Sequence, residues 1–203
     1  MSATMTAVMT PTIERDEDPD GQTMRRAQEG DAEAREELAR SCQRSAYLFG
    51  LQLLRNREDA LDVAQEATLR VLGSLSRFDA DRPLRPWLLR ITRNLVHDRW
   101  RRSRNRTDVP LSEEILAEPD SVDPEKRLER LERQRLVWRE LAALPEDARE
   151  IVVLRDYRDL SYAEIAEVLD VPLGTVMSRL HRARTKLGER VRAALGGEVG
   201  GSR

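Results

Sequence analysis

A single cysteine, Cys42, and two distant histidines, His97 and His181, leave this chain without a disulfide framework or a set of soft ligands at zinc-site spacing. A protein of the reducing cytosol is expected. Aromatics are scarce, with two Phe, three Tyr and three Trp, and nowhere do β-branched or aromatic residues alternate over a useful length, which argues against strands. The chain never runs through the roughly 18 uninterrupted apolar residues that span a bilayer. Met1 to Asp20 has no basic start followed by an apolar stretch, so neither membrane insertion nor export is expected. Gly-x-Gly-x-x-Gly, Walker-type and Gly-x-Ser-x-Gly motifs are missing. Neither His has a Cys or Ser at suggestive spacing, and no carboxylate pair lies in an apolar setting. No catalytic residue, metal ligand or cofactor is therefore assigned.

What is present is charge. Of 203 residues, 35% are charged, above the usual quarter or so of a globular chain. That favours helices with wide solvated faces. The net charge is only −2, so any basic surface must be local. The length allows one domain or two small ones.

The pattern along the chain is uneven. Residues 1–22 include five acids against Arg15 between Glu14 and Asp20 and show no helical period, which predicts a disordered acidic tail. A helical domain is expected over 23–106: an Ala/Glu/Arg-rich stretch ending near Arg55, a second helix opening near Glu58 and a third from Pro86, with breaks at Asn56 and at Asp79–Pro83. Residues 107–123 read as an acidic flexible linker. From 107 to 125 there are seven acids, no Lys or Arg, and prolines at 110, 119 and 124. Helical periodicity resumes over 124–195, interrupted at Pro145 and at Asp170–Gly174, with Ile151–Leu154 read as a buried helical segment. A Gly-rich flexible tail, 196–203, follows. The fold class is all-α, two small helical domains on an acidic tether.

The second domain holds a helix-turn-helix. In LSYAEIAEVL, Leu160–Leu169, Ser161 is placed to cap a helix with Glu164 in capping-box position, and Ala163, Ile165, Ala166 and Leu169 form the apolar set. A turn at Asp170-Val171 leads to Pro172 in the first turn of the next helix. There Val176, Leu180, Ala183 and Leu187 fall within about 60° of one another and form the buried stripe. Thr175, Ser178, His181, Arg182 and Thr185 face the other way, flanked by Arg179, Lys186 and Arg184. Six basic residues and one acid between Gly174 and Arg192 make this helix locally basic. Such a helix fits the DNA major groove, where Arg reads guanine and Ser or Thr approaches base edges or phosphates. A charged face turned to solvent is the plainer alternative, against which the capped helix and turn weigh.

The first domain carries two further surfaces. Glu58 to Leu75 has an apolar stripe of Leu61, Ala64, Thr68, Val71, Leu72 and Leu75, leaving Asp62, Gln65, Glu66 and Leu69 outward. An exposed Leu beside carboxylates suits protein docking, though a scattered surface Leu is normal. From Arg82 to Arg106 there are nine Arg and one acid, a density that calls for a polyanion. Trp87 and Trp100 are interleaved with them, either as base-stacking platforms or as core residues.

Taken together the chain resembles the bacterial RNA polymerase sigma factors, in particular the compact extracytoplasmic-function (ECF) group within that primary family. EDALDVAQEATLRVL is similar to its polymerase-binding helix, RFDADRPLRPWLLRITRNLVHDRWRR to its melting and −10 recognition segment, and LPEDAREIVVLRDYRDLSYAEIAEVLDVPLGTVMSRLHRARTKL to its −35-binding domain. The resemblance implies that Asp62, Gln65, Glu66 and Leu69 contact core RNA polymerase. It further implies that the loop around Phe78–Arg85 with Asn94 captures a flipped base of the −10 element, that Trp87 serves the same element, and that Arg90, Arg93, Arg99, Arg101 and Arg102 meet phosphates. Thr175, Ser178, Arg179, His181, Arg182 and Lys186 would meet the −35 element of promoter DNA. An anti-sigma factor is an implied partner. Two positions depart from the family pattern: Ala67-Thr68 stand where a larger apolar pair is usual, and Met177 where a basic residue is common. An autonomous helix-turn-helix regulator remains an alternative; it would bind DNA tightly without polymerase.

Overall fold

A computed structural model describes residues 21–102 and 124–198, and the regular structure there is entirely helical. The linker at 107–123, most of the acidic tail and residues 199–203 lie outside the described residues. The described chain forms two compact units.

The first unit begins with α1 (Gly21–Gln28), two residues ahead of the expected start, which buries Thr23, Met24 and Ala27. The one helix expected from there to Arg55 is in fact two. Gly30 takes φ +96°, a left-handed conformation that glycine adopts without strain, and the chain restarts as α2 (Ala32–Leu54). Asp31 Oδ1 caps α2, accepting from the N–H groups of Glu33 and Ala34 at 3.0 and 3.1 Å. The Ala34 N–H, and then the Arg26 guanidinium donating to Oδ2 at 2.8 Å, hold the Asp31 carboxyl below the usual carboxylate range. Leu38, Cys42, Ala46, Phe49 and Leu53 are buried at helical spacing along α2.

Asn56 caps α3 (Arg57–Ser74), its Oδ1 accepting from the Asp59 N–H at 3.0 Å. The inward face of α3 is Ala60, Val63, Ala64, Ala67, Thr68 and Val71. This corrects the expected stripe: Leu61 is 43% exposed and Leu72 half-buried. The reason is helix phase: Leu61 lies about 100° and Leu72 about 120° around α3 from Ala60, at or beyond the edge of the buried face. A 3-10 turn (Leu75–Arg77) and the loop 78–83 lead to α4 (Leu84–Arg102). Opening at Leu84 rather than Pro86 places the proline in the first turn, where its missing N–H costs nothing. Leu84, Leu88, Leu89, Thr92, Leu95 and Val96 of α4 close the core.

The second unit holds α5 (Pro124–Ala142) and α6 (Glu146–Val152), the latter running into a wider π-type turn at Val153–Tyr157. Ile151–Leu154 are wholly buried and helical, as expected. Trp138 lies against Tyr157, ring centroids 4.5 Å apart, and burial pushes the Tyr157 phenol above its ordinary pKa. α7 (Tyr162–Leu169) opens with the anticipated capping box, Glu164 N–H donating to Ser161 Oγ at 3.2 Å and Ser161 N–H to Glu164 Oε2 at 2.7 Å. Ile165 and Leu169 are buried, but Ala163 is exposed and Val168 takes its place, because Ala163 lies about 160° around the helix from Ile165 and Val168 only about 60°. Asp170, at φ 56°, turns the chain toward α8 (Leu173–Glu198). Pro172 sits just outside α8, its carbonyl accepting from the N–H groups of Thr175 and Val176 at 2.9 and 3.2 Å; it caps the helix instead of lying in its first turn. Val176, Leu180, Ala183 and Leu187 are all buried, as the spacing predicts. α8 continues through Gly196 to Glu198, three residues into the stretch expected to be flexible. Each glycine costs an established helix only about 1 kcal/mol.

Candidate functional site

The outward side of α3 and the adjoining side of α4 form a groove of about 520 Å³, lined by Asp62, Gln65, Glu66 and Leu69 from α3 and by Leu95, Asp98, Arg99 and Arg102 from α4. All four candidate docking residues of α3 thus come together on one surface. Leu69 is 59% exposed, and Glu66 pairs with Arg70 at 2.8 Å. Arg99 is held here. Its Nη1 donates to Asp59 Oδ1 at 2.9 Å and its Nη2 to Asp62 Oδ2 at 2.7 Å.

The described arginines of α4 therefore do not share one face. At 100° per residue, Trp87, Arg90, Asn94 and Arg101 fall within about 60° on α4, while Arg99 lies about 180° from Arg90. Arg90, Asn94, Arg101 and Arg102 are exposed, and Arg85 and Arg93 half-buried. Arg101 is paired with Asp98. The half-buried Trp87 ring stacks on Phe78, centroids 4.4 Å apart and planes 20° apart. This pair sits where the loop 78–83 meets α4, so Trp87 is neither fully core nor free of it.

In the second unit α7, the turn and α8 make the anticipated helix-turn-helix. Ser178, Arg179, His181, Arg182 and Lys186 are exposed along α8, and Thr175 is half-buried. Ser178 Oγ donates to the Thr175 carbonyl at 3.1 Å and Arg182 Nε to the Ser178 carbonyl at 3.2 Å. Arg184, on the flank, is turned inward: its Nε and Nη2 both donate to Asp156, a contact that raises the guanidinium above its ordinary pKa.

Comparison with known proteins gives the whole pattern a name. Residues 38–106 match the Sigma-70 region 2 family and residues 134–187 match Sigma-70, region 4. The chain is 31% identical over 179 residues to the ECF RNA polymerase sigma factor SigW of Bacillus subtilis, covering 83% of this chain and 95% of that one. It is 33% identical over 177 residues to the RNA polymerase sigma-H factor of Pseudomonas aeruginosa, covering 83% and 91%. The chain belongs to the ECF RNA polymerase sigma factors. Having regions 2 and 4 in one chain favours this sigma factor reading over an autonomous helix-turn-helix regulator. Its fold is similar to that of CnrH, solved in complex with the cytosolic domain of CnrY, at TM-score 0.60 and 26% identity, covering 86% of this chain and 97% of that one.

In this sigma factor the two departures have different settings. Ala67 and Thr68 are buried, and the Thr68 hydroxyl donates to the Ala64 carbonyl at 2.8 Å. Met177 is 49% exposed beside exposed Leu173, on the helix that faces outward with Ser178. Among the described residues no helix is long and apolar enough to cross a membrane, and no group of three His, Cys, Asp or Glu is placed to hold a metal. The residues that sequence reasoning overlooked are those that hold the loop 75–83: Gly21, Arg25 and Gln28 of α1. No periodicity or motif marks them, and α1 lies outside both matched regions.

Proposed function

We propose that this sigma factor carries no reaction of its own and works in the cytoplasm, lending core RNA polymerase its choice of promoter. Asp62, Gln65, Glu66 and Leu69 dock on the polymerase, an apolar anchor within a polar rim being the usual anatomy of a protein interface. Phe78, Arg85, Trp87 and Asn94 meet the unpaired strand of the −10 element, where extruding a base costs a few kcal/mol that stacking and edge contacts offset. Arg90, Arg93, Arg101 and Arg102 add phosphate contacts, while Arg99 organises the docking groove. Thr175, Ser178, Arg179, His181, Arg182 and Lys186 read the −35 element from the major groove.

Residues 23–106 act as region 2 and 124–195 as region 4, with 107–123 as a tether that raises the effective concentration of the second DNA contact once the first has formed. The fold shared with CnrH, which is solved with a protein partner, supports an anti-sigma factor as a further partner of this chain.

The observation that carries the reading is the outward face of α8, where five polar or basic side chains stand exposed behind a capped helix and turn. Run-off transcription with purified core polymerase over a pool of promoter fragments tests it. Selection of a subset of fragments, dependent on this chain, is expected. Tight, selective operator binding by the chain alone, with no effect on transcript start sites, would overturn it.

A further inference from the structure

The loop joining α3 to α4, which carries Phe78, is held from one side by α1. Gln28 Nε2 donates to two main-chain carbonyls, those of Leu75 at 2.9 Å and Phe78 at 2.6 Å. At the other end of α1, a methyl group on Gly21 would stand 2.9 Å from the Ala80 carbonyl oxygen, so only glycine permits that approach. Between them Arg25 pairs with Asp81 at 2.8 Å. Gly21, Arg25 and Gln28 follow at steps of four and three, which places them on one face of the helix. The opposite requirement, anchoring α1 to the unit, is met by buried Thr23, Met24 and Ala27.

Most of these contacts are made to the backbone of the loop, so they fix the path of the chain and not one side chain. The Arg25–Asp81 pair lies in water and adds little. Half-buried Gln28, with a single amide nitrogen serving two carbonyls, is the stronger tie. A loop ordered in advance pays no ordering entropy when its ligand arrives. The stack of Phe78 on Trp87 is thereby presented in one arrangement.

We propose that α1 is a brace that presets the 75–83 loop for the unpaired −10 base, with Gln28 as its central positioning residue. The inference rests on the reading of Phe78 and its neighbours as −10 contacts. It explains why a helix outside both matched regions packs against the loop and not only against the core.

The test uses the full chain with core polymerase and a fork-junction DNA, taken from a promoter recovered in the run-off pool, whose non-template −10 strand is single-stranded. Each base is varied in turn and binding of the holoenzyme is measured. Gln28→Glu keeps the size but faces two carbonyls with an acceptor; Gln28→Lys keeps a donor. Gln28→Glu is expected to lower the preferred-to-disfavoured base ratio about tenfold. Gln28→Lys should retain most of the ratio, and both variants should bind core polymerase as the parent does. Gly21→Ala, which displaces the loop without touching Gln28, should lower the same ratio. Phe78→Ala is the reference for the loop itself. If Phe78→Ala loses discrimination while Gln28→Glu and Gly21→Ala keep it, the brace is wrong and the reading of the loop stands. Equal losses in the Glu and Lys variants overturn the donor role of Gln28. If Phe78→Ala also keeps full discrimination, the loop is not the base site and both readings fall.

Discussion

Arg99 of α4 is tied to Asp62 of α3, its Nη2 donating at 2.7 Å while its Nη1 reaches Asp59 at 2.9 Å. One guanidinium thus joins an almost buried carboxylate to one at the rim of the docking groove. Arg99→Ala removes the cation beside Asp59 and is expected to cost about 1–3 kcal/mol, read as a lower urea midpoint with unchanged m-value. Asp62→Asn acts at the exposed end, where an ion pair contributes about 0–1 kcal/mol. Equal costs for the two substitutions would show that the buried end is not the important one.

Leu69 projects into the same groove with more than half its surface in water. Leu69→Arg is expected to abolish co-purification with core polymerase while changing unfolding stability by no more than about 0.5 kcal/mol, the usual range for a surface site. Undiminished association would remove Leu69 from the docking surface.

On α8, two arginines separated by one residue have opposite settings. Arg182 is exposed, and Arg182→Ala should weaken holoenzyme binding by about 1–3 kcal/mol at one base pair of the −35 element and little elsewhere. Arg184 is bound by Asp156, so Arg184→Ala should lower the stability of the unit with no preference among promoter sequences. Binding to a set of single-base promoter variants separates the two, and a uniform loss for Arg182→Ala would refute its role in reading bases.

Tyr157 offers a test at alkaline pH. Burial first, and then the nearby Asp156 charge, raise its pKa in the folded chain above the ordinary value. Its contribution to stability is therefore complete below about pH 10, where the unfolded phenol titrates, and declines as the pH rises further toward the folded pKa. Tyr157→Phe should flatten that decline in urea titrations between about pH 10 and 11. An unchanged slope would mean that other groups cause the alkaline loss.

Features set by local spacing were legible in the sequence. The buried stripe Val176, Leu180, Ala183 and Leu187 needed only the helical period, and the Ser161–Glu164 cap only a three-residue interval. The exposed side of α3 was legible for the same reason. What escaped depended on neighbours distant in the chain. Which residues of α3 turn inward is decided by the helices packed on it, so Leu61, apolar yet 43% exposed, could not be told from a core residue by a window around it. The pairing of Arg99 with Asp59 and Asp62 was equally hidden, because those carboxylates lie 40 and 37 positions away along the chain. The break at Gly30 was hidden inside a run of good helix formers, although the glycine and Asp31 that cause it are both visible in hindsight.

The tie from Gln28 to Leu75 spans 47 residues of chain, whereas α2 and α3 meet across the short connection at Arg55–Asn56. Loop closure makes the distant contact the more costly to form. Of the contacts α1 makes, the one to the loop is therefore the one that loop closure favours least. In amide hydrogen exchange α1, a helix of eight residues with three of them buried, is expected to lose protection before the α2–α3 pair does.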